Sequence, residues 1–409
     1  MNTRKIRLAY LSGPVDAAEV YERWRAGQHT KLFGTSYLMQ FYELCSELEA
    51  EALVITTLPG KSSRQTIGRV IIENRPPPTT GGLRYHLAII VSMFALAPSL
   101  IRFRPDAFII TAHQNYWFAL LYTKMLGTEI IPSAHCVMWR PYGSTPRHVR
   151  LLLWLDGLFL RFCVRRAMAI SGVVASQLKR LAKSERFDVE VITPTYSPGH
   201  FDAVAAADHV QRPFVVLFNG RVEANKGIFD LLEIAGRLHN ERPGEFRFDV
   251  CGEGSQEQAL ITAIHERGLE ASVRVLGFCD KDQLARLLGS SHVVIVPTRS
   301  DFEEGLAKTC VEAVLAGRPF VTSPVCPALL SLGDAGLGVP PNDVKGYSDA
   351  LLKLAEDYAL YNSKVSNCSP LQAQFYDPNR AYKAVLRRQL LASGIIDGQA
   401  QGAPVSVVS

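Results

Sequence analysis

Residues 301–321 read DFEEGLAKTCVEAVLAGRPFV, and two of their carboxylates stand where a phosphorylated ligand could use them. Glu304 falls in a stretch expected to be loop. Glu312 falls more than one turn into the helix expected to follow. Gly305 between them permits close backbone approach. The turn into the helix would present N–H groups near Ala307 and Lys308 to an anion, because the helix dipole and its unpaired donors favour negative charge there. A carboxylate at Glu312 can accept the paired hydroxyls of a ribose, as acidic residues do in other nucleotide sites. The same spacing also suits an ordinary exposed glutamate at 312 and a dipole partner at 304.

A second cluster is Asn219-Gly220-Arg221, with Lys226-Gly227 just ahead of a helix. Two cations and a helix N-terminus facing one crevice suit a diphosphate. Arginine can grip phosphate with two donors, and lysine acts as a point charge. A solvated loop pair would read the same way. Gly252-Glu253-Gly254 and Gly277-Phe278 each follow a strand pattern, where glycines let a ligand come near the backbone or simply make a turn.

The elements that must position these residues alternate. Strand patterns at 5–12, 52–56, 107–112 and 129–134 are separated by helical patterns at 36–48, 87–101 and 116–126. After Tyr196-Ser197-Pro198-Gly199 the alternation restarts, with strands at 214–218, 246–251, 273–276, 293–296 and 320–321 and helices between them. Strand and helix alternating across short Gly/Pro breaks imply doubly wound parallel sheets, here two in series with a cleft between them. Open α/β sheets bind ligands beyond the carboxyl ends of their strands, where the clusters above fall. The division expected is a Rossmann-like domain over 1–195 and a second over 196–377. A helix over 378–393 would return to the first domain, and 394–409 would be a disordered tail.

Composition narrows the class. Of the 409 residues 47% are hydrophobic and 20% charged, which fits a globular chain. The net charge of +5 is uneven: residues 1–195 hold 24 basic against 14 acidic side chains, and 196–409 hold 20 against 25. Residues 147–186 carry nine basic and two acidic ones, with Arg147, Arg150, Arg161, Arg165 and Arg166 flanking apolar runs. Such a basic, apolar helix suits an anionic membrane surface, or equally a core helix with solvated ends. No nucleic-acid motif accompanies the basic residues, and no nucleic-acid partner is expected. The apolar run 87–101 contains Pro98 and is shorter than a bilayer span, so a buried helix is expected. No signal peptide is read at the N-terminus. Eight scattered cysteines without CxxC spacing point to reduced thiols in a cytoplasmic protein rather than a zinc site or disulfide framework.

Taken in order, these residues resemble glycosyltransferase family 4, most densely over 214–345. The family's E-x7-E pattern is met by Glu304 and Glu312, and its EA-x-x-x-G-x-P continuation by Glu312, Ala313, Gly317 and Pro319. Its G-R…K-G donor-phosphate pattern is met by Gly220, Arg221, Lys226 and Gly227, its G-x-G by Gly252 and Gly254, and its LG-[FY] by Leu276, Gly277 and Phe278. The resemblance implies a GT-B fold and a retaining hexosyltransferase using a nucleotide-sugar donor and a glycan or lipid-linked acceptor. Cell-surface polysaccharide or glycolipid synthesis at the cytoplasmic face of a membrane is the setting it suggests. Arg221 and Lys226 would neutralise the diphosphate, Glu312 would hold the ribose, and Glu304 and the strand-end His135 would touch the donor sugar. Gly305, Leu306, Ala307 and Lys308 would border it. The chain departs from the family at Gly34-Thr35, where a Gly-Gly loop is usual, at Gly305-Leu306-Ala307 for Gly-Phe-Gly, and at the 195–199 linker. No metal or other cofactor is expected: no D-x-D closes a strand, and the two cations supply the positive charge. The alternatives are an epimerase of the same fold, disfavoured by the Glu304/Glu312 pattern, and a non-catalytic nucleotide-sugar-binding subunit, disfavoured by Glu304, Lys226 and His135 together.

Overall fold

The computed structural model describes residues 5–28, 36–202, 204–206 and 208–397. Gly34 and Thr35, expected near the donor, and the tail beyond 397 lie outside the described residues. Among the described residues the chain forms two sheets. The first contains β1 (Arg7–Leu11), β2 (Glu51–Thr56), β3 (Ser63–Ile67), β4 (Val70–Asn74), β5 (Ala107–Ile110), β6 (Glu129–Ala134), β7 (Arg166–Ala169) and β8 (Asp188–Val191). Its order is β3-β4-β2-β1-β5-β6-β7-β8. The second contains β9 (Phe214–Asn219), β10 (Phe246–Cys251), β11 (Val273–Gly277), β12 (Val293–Val296), β13 (Phe320–Thr322) and β14 (Gly336–Gly338), in the order β11-β10-β9-β12-β13-β14.

The central strands are apolar runs such as Ala107–Ile110 and Val293–Val296, buried on both faces, as parallel strands covered by helices must be. Among the described residues the one antiparallel pairing is β3 with β4. Alternation alone did not reveal this hairpin, because β3 (SRQTI) is a polar, largely exposed edge strand with no inward face. In the second sheet the chain steps outward from β9 to β11 and then crosses back to β12. The order therefore reverses between β9 and β12. That switch point opens a crevice at Asn219 and Thr298, just past the two strand ends.

Two expectations about helices are corrected. The segment 87–101 is not a buried helix. It belongs to Gly82–Phe94 and Ala97–Phe103, broken at Ala95–Leu96, and only its inward side is covered: Ile89, Met93, Leu96 and Leu100 are buried while Leu87, Val91, Phe94 and Ile101 are exposed. A hydrophobic run does not say which of its sides meets the sheet. Residues 147–186 are likewise not one helix: Arg147–Cys163 is helical, Arg166 opens β7, and Gly172–Ala182 forms another helix.

The chain crosses between the two sheets twice, and the crossings run side by side. Thr193 N–H donates to Arg380 O at 3.0 Å and Tyr196 N–H to Phe375 O at 3.1 Å. The helix Tyr382–Ala392 then lies on the first domain's Tyr37–Glu47 helix. There Lys383 Nζ is 2.5 Å from Glu43 Oε1 and 2.7 Å from Glu47 Oε1, while Arg388 and Gln389 hold Glu190.

Candidate functional site

Two cavities adjoin at the crevice, one between the two halves and one lined by the second half alone. The larger, of about 610 Å³, is lined from the first domain by Tyr37, His135 and Ile170, and from the second by Gly220, Arg221, Lys226, Thr298, Glu304 and residues 306–309. The second, of about 390 Å³, is lined by Cys251, Gly252, Phe278 and Glu312. Asn219, Gly220, Arg221 and Lys308 line both, so the two form one elongated site.

Cations gather toward the junction, with Arg221 lining both cavities and Lys226 the first. Lys226 Nζ lies 3.9 Å from the centre of the Phe302 ring and Arg221 Cζ 5.7 Å from it, so both cations rest on one aromatic wall. Lys226 Nζ is also 2.5 Å from Glu304 Oε2, in a pair only 18% and 13% exposed. The other oxygen, Oε1, accepts the Ala307 N–H at 3.2 Å. Glu304 thus engages both a cation and one of the N–H groups that an anion would use.

Glu312 stands one helical turn further along, on Lys308–Leu315. Asn219 Nδ2 donates to its Oε2 at 3.1 Å, and Tyr196 OH to its Oε1 at 3.5 Å. Burial pushes its carboxyl up to about 7, against the pull of Lys308 and the two hydrogen bonds. Lys308, whose Nζ sits 4.8 Å from the Tyr37 ring centre, is itself held below the usual lysine range by the surrounding protein.

His135 follows β6, and its Nε2 is 3.0 Å from Ser133 Oγ. Burial, then the charge of Lys308, lowers its pKa to about 3, so the imidazole is neutral at physiological pH and serves as a hydrogen-bonding group. The Glu304 loop closes directly on it. A Cβ at Gly305 would lie 2.0 Å from His135 O and 2.8 Å from its carbonyl carbon. Beside this contact Arg140 Nε pairs with Glu303 Oε1 at 2.7 Å. Gly305→Ala should therefore hold the domains apart at the reacting centre. The expected result is a loss of transfer of about 100-fold or more, with donor affinity and second-domain stability little changed. Transfer within a few-fold of the unaltered protein would show that the contact is dispensable.

Residues 203–368 match the family model described as glycosyl transferases group 1. The chain is a hexosyltransferase-type glycosyltransferase. It is 25% identical to an alpha-D-kanosaminyltransferase of Streptomyces kanamyceticus over 279 residues, 65% of this chain and 71% of that protein. It is 30% identical to the O-antigen chain mannosyltransferase B of Escherichia coli over 142 residues, 34% of this chain and 36% of that one. Among solved structures, Anabaena Alr3699/HepE in complex with UDP and glucose superposes with a TM-score of 0.62 at 16% identity, covering 95% of this chain and all of that one. A likeness at that identity speaks for the fold alone, and the fold is GT-B.

The glycosyltransferase brings most of the sequence-predicted residues to this one cleft: His135, Gly220, Arg221, Lys226, Gly252, Phe278, Glu304, Leu306, Ala307, Lys308 and Glu312 all line it. Gly305 abuts it through His135, and Gly277 precedes Phe278 with a φ of 67°. Gly252 and Gly254 do something the sequence did not indicate. A Cβ at either would strike the neighbouring loop, 1.9 Å from Gly220 O and 2.2 Å from Val222 O, so they let two strand-end loops nest. His113, just past β5, lines a separate cavity of about 210 Å³ with Arg75 and Ser92. Asp280 and Asp282 have D-x-D spacing shortly after β11, but the Asp280 carboxylate caps the helix Lys281–Ser290 through two N–H groups. Sequence reasoning missed Tyr37, Phe302 and Tyr196 as site residues. No spacing rule marks an aromatic wall or a linker hydroxyl that reaches the cleft only after the domains pack.

Proposed function

We propose that the enzyme transfers a hexosyl group, with retention of anomeric configuration and without a metal ion, from a nucleotide diphosphate to a glycan or lipid-linked acceptor. Cell-surface polysaccharide or glycolipid synthesis on the cytoplasmic side of a membrane, approached through the basic segment 147–186, is the setting. The observation that carries this reading is one elongated cleft in which Arg221 and Lys308 line both chambers, Lys226, Glu304 and His135 line the first, and Glu312 lines the second. The lengthwise order sugar, diphosphate, nucleoside matches the order of neutral donor, cations and buried carboxylate.

In the reaction the bond from the sugar's anomeric carbon to the diphosphate oxygen breaks, and the acceptor hydroxyl oxygen bonds to that carbon. The hydroxyl proton passes to the departing phosphate. Arg221, Lys226 and the N-terminus at Lys308 stabilise the charge that develops on the leaving group. Glu304 is engaged by Lys226 and Ala307 N–H, which supports a role in charge placement rather than as a nucleophile and so supports front-face retention. Once the site is closed, the protein's share is positioning and electrostatics. Calorimetric titration with a panel of nucleotide sugars, followed by transfer assays on an acceptor extract, tests the reading. It is supported by one donor that binds and is turned over only with acceptor. Failure of every donor to bind, or donor turnover that needs no acceptor, would overturn it, the latter in favour of the epimerase.

A further inference from the structure

The exposed side of the first domain is apolar where the sequence suggested burial. On the Gly82–Phe94 helix, Leu83, Leu87, Val91 and Phe94 form one outward stripe at spacings of three and four. On the neighbouring turn helix Trp117–Leu126, Leu121 and Met125 face outward, Met125 at 90% exposure. On Arg147–Cys163, Leu151, Trp154 and Phe162 continue the pattern. These three elements adjoin: the Phe94 and Tyr122 rings lie 5.8 Å apart, the His86 and His148 rings 4.9 Å apart, and Lys124 Nζ donates to Phe162 O at 2.8 Å. The stripes therefore merge into one face far broader than the scattered apolar residues of an ordinary surface.

Charge on this face has one sign. Arg84, Arg102, Lys124, Arg147, Arg150 and Arg161 are all exposed. The segments 82–103 and 117–126 contain no acidic residue, and the single one in 147–163, Asp156, is fully buried with its Oδ1 accepting the Phe118 N–H at 2.8 Å. A second copy of the chain would bring the same six cations together across a symmetric contact, which disfavours self-association. A transmembrane span is disfavoured too. Gly82–Phe103 is long and apolar enough to cross a bilayer, but its inward residues Ile89, Met93 and Leu100 are packed in the core at 0–1% exposure. A surface of anionic lipid answers both features, accepting apolar side chains at the acyl boundary and arginines at the phosphates.

We propose that the joined face of Gly82–Phe94, Trp117–Leu126 and Arg147–Cys163 docks on an anionic bilayer, its apolar stripes entering the interface and its cations lying against the headgroups. This rests on the membrane-side reading above and changes its basis: apolar insertion over three helices carries the contact, and the basic residues of 147–163 supply only part of it.

Flotation of the full chain with vesicles of phosphatidylcholine alone, and of phosphatidylcholine mixed with phosphatidylglycerol, tests the proposal. The unaltered chain should float with the mixed vesicles and far less with the neutral ones. Val91→Glu with Trp154→Glu, at positions 65% and 59% exposed and so not expected to disturb the core, should weaken flotation by at least about tenfold. Arg150→Ser with Arg161→Ser should weaken it by a factor that shrinks at high salt. No flotation of the unaltered chain would overturn the proposal. So would equal flotation of the Val91/Trp154 variant, which would leave the basic run as the sole contact. A dimer that this variant splits, without vesicle binding, would reassign the face to self-association. Circular dichroism and donor calorimetry on the same samples keep the two readings apart. Loss of donor binding by the unaltered chain would count against the proposed function, whereas lost flotation with donor binding intact counts against this face alone.

Discussion

Lys226→Ala should slow sugar transfer by about 10²–10³-fold at saturating donor, the range seen when one preorganised charge-stabilising donor is removed from a dry site. The effect belongs in turnover because the ammonium is needed most as charge builds on the departing diphosphate, and binding energy realised only then raises the rate. Arg221 remains beside the same Phe302 ring, so donor affinity should fall far less than turnover. A cost in stability is also expected, since Glu304 would be left 13% exposed without its cation, and unpairing a buried charge is expensive. Lys226→Ala with Glu304→Gln should recover that stability and not the rate. Single-turnover transfer, donor calorimetry and melting curves on both variants separate the three quantities. A transfer rate equal to that of the unaltered enzyme would remove Lys226 from the mechanism.

The second large effect has opposite signs for stability and binding. Burial pushes the Glu312 carboxyl up to about 7 from an ordinary 4.5. Between those values the folded chain keeps a proton that the unfolded chain has released, so stability is lost as pH rises through the window from about 4.5 to 7. At pH 8 the loss is about 3 kcal/mol. Glu312→Gln abolishes that titration while its amide oxygen can still accept from Asn219 Nδ2. The variant should therefore be more stable than the unaltered enzyme by about 2–3 kcal/mol at pH 8, with the margin vanishing toward pH 4.5. Donor affinity should move the other way, down by about 10–100-fold, because a charged acceptor for the ribose hydroxyls is replaced by a neutral one. In the unaltered enzyme, donor affinity should fall as pH drops below about 7 and the carboxylate takes its proton, levelling off once it has lost about the same 10–100-fold. Denaturant melts from pH 5 to 8 and calorimetry over the same range check both halves. Destabilisation of the variant at every pH, or an unchanged donor affinity, would contradict the assignment of Glu312.

Much of the donor half was legible before any coordinates, for a local reason. Glu304, Gly305 and Glu312 lie within nine residues, and Gly220, Arg221 and Lys226 within seven, so each group acts on one strand end and the helix that follows it. A strand, a tight turn and a helix N-terminus fix such residues relative to one another almost regardless of the rest of the chain. Periodicity was enough for the central parallel strands of both sheets, because a strand covered on both faces has to be apolar along its whole length, but it missed the outer strands β4, β7, β8 and β14. It failed at β3, where an edge strand has no such requirement, and at 87–101, where the apolar run faces core on one side and solvent on the other.

By itself, then, the order of residues determined the kind of chemistry: two cations, two carboxylates and glycine-bearing strand ends suited to a nucleotide diphosphate, on two α/β halves. Only the tertiary structure decided what faces what. It joined Lys226 to Glu304 and Tyr196 to Glu312, pressed Gly305 onto His135, made Gly252 and Gly254 serve loop nesting, and left the Gly82–Phe94 stripe open to solvent. These are contacts between residues tens to well over a hundred positions apart, brought together when helices pack and domains meet. A pattern with a period of two or of 3.6 residues carries no information about them.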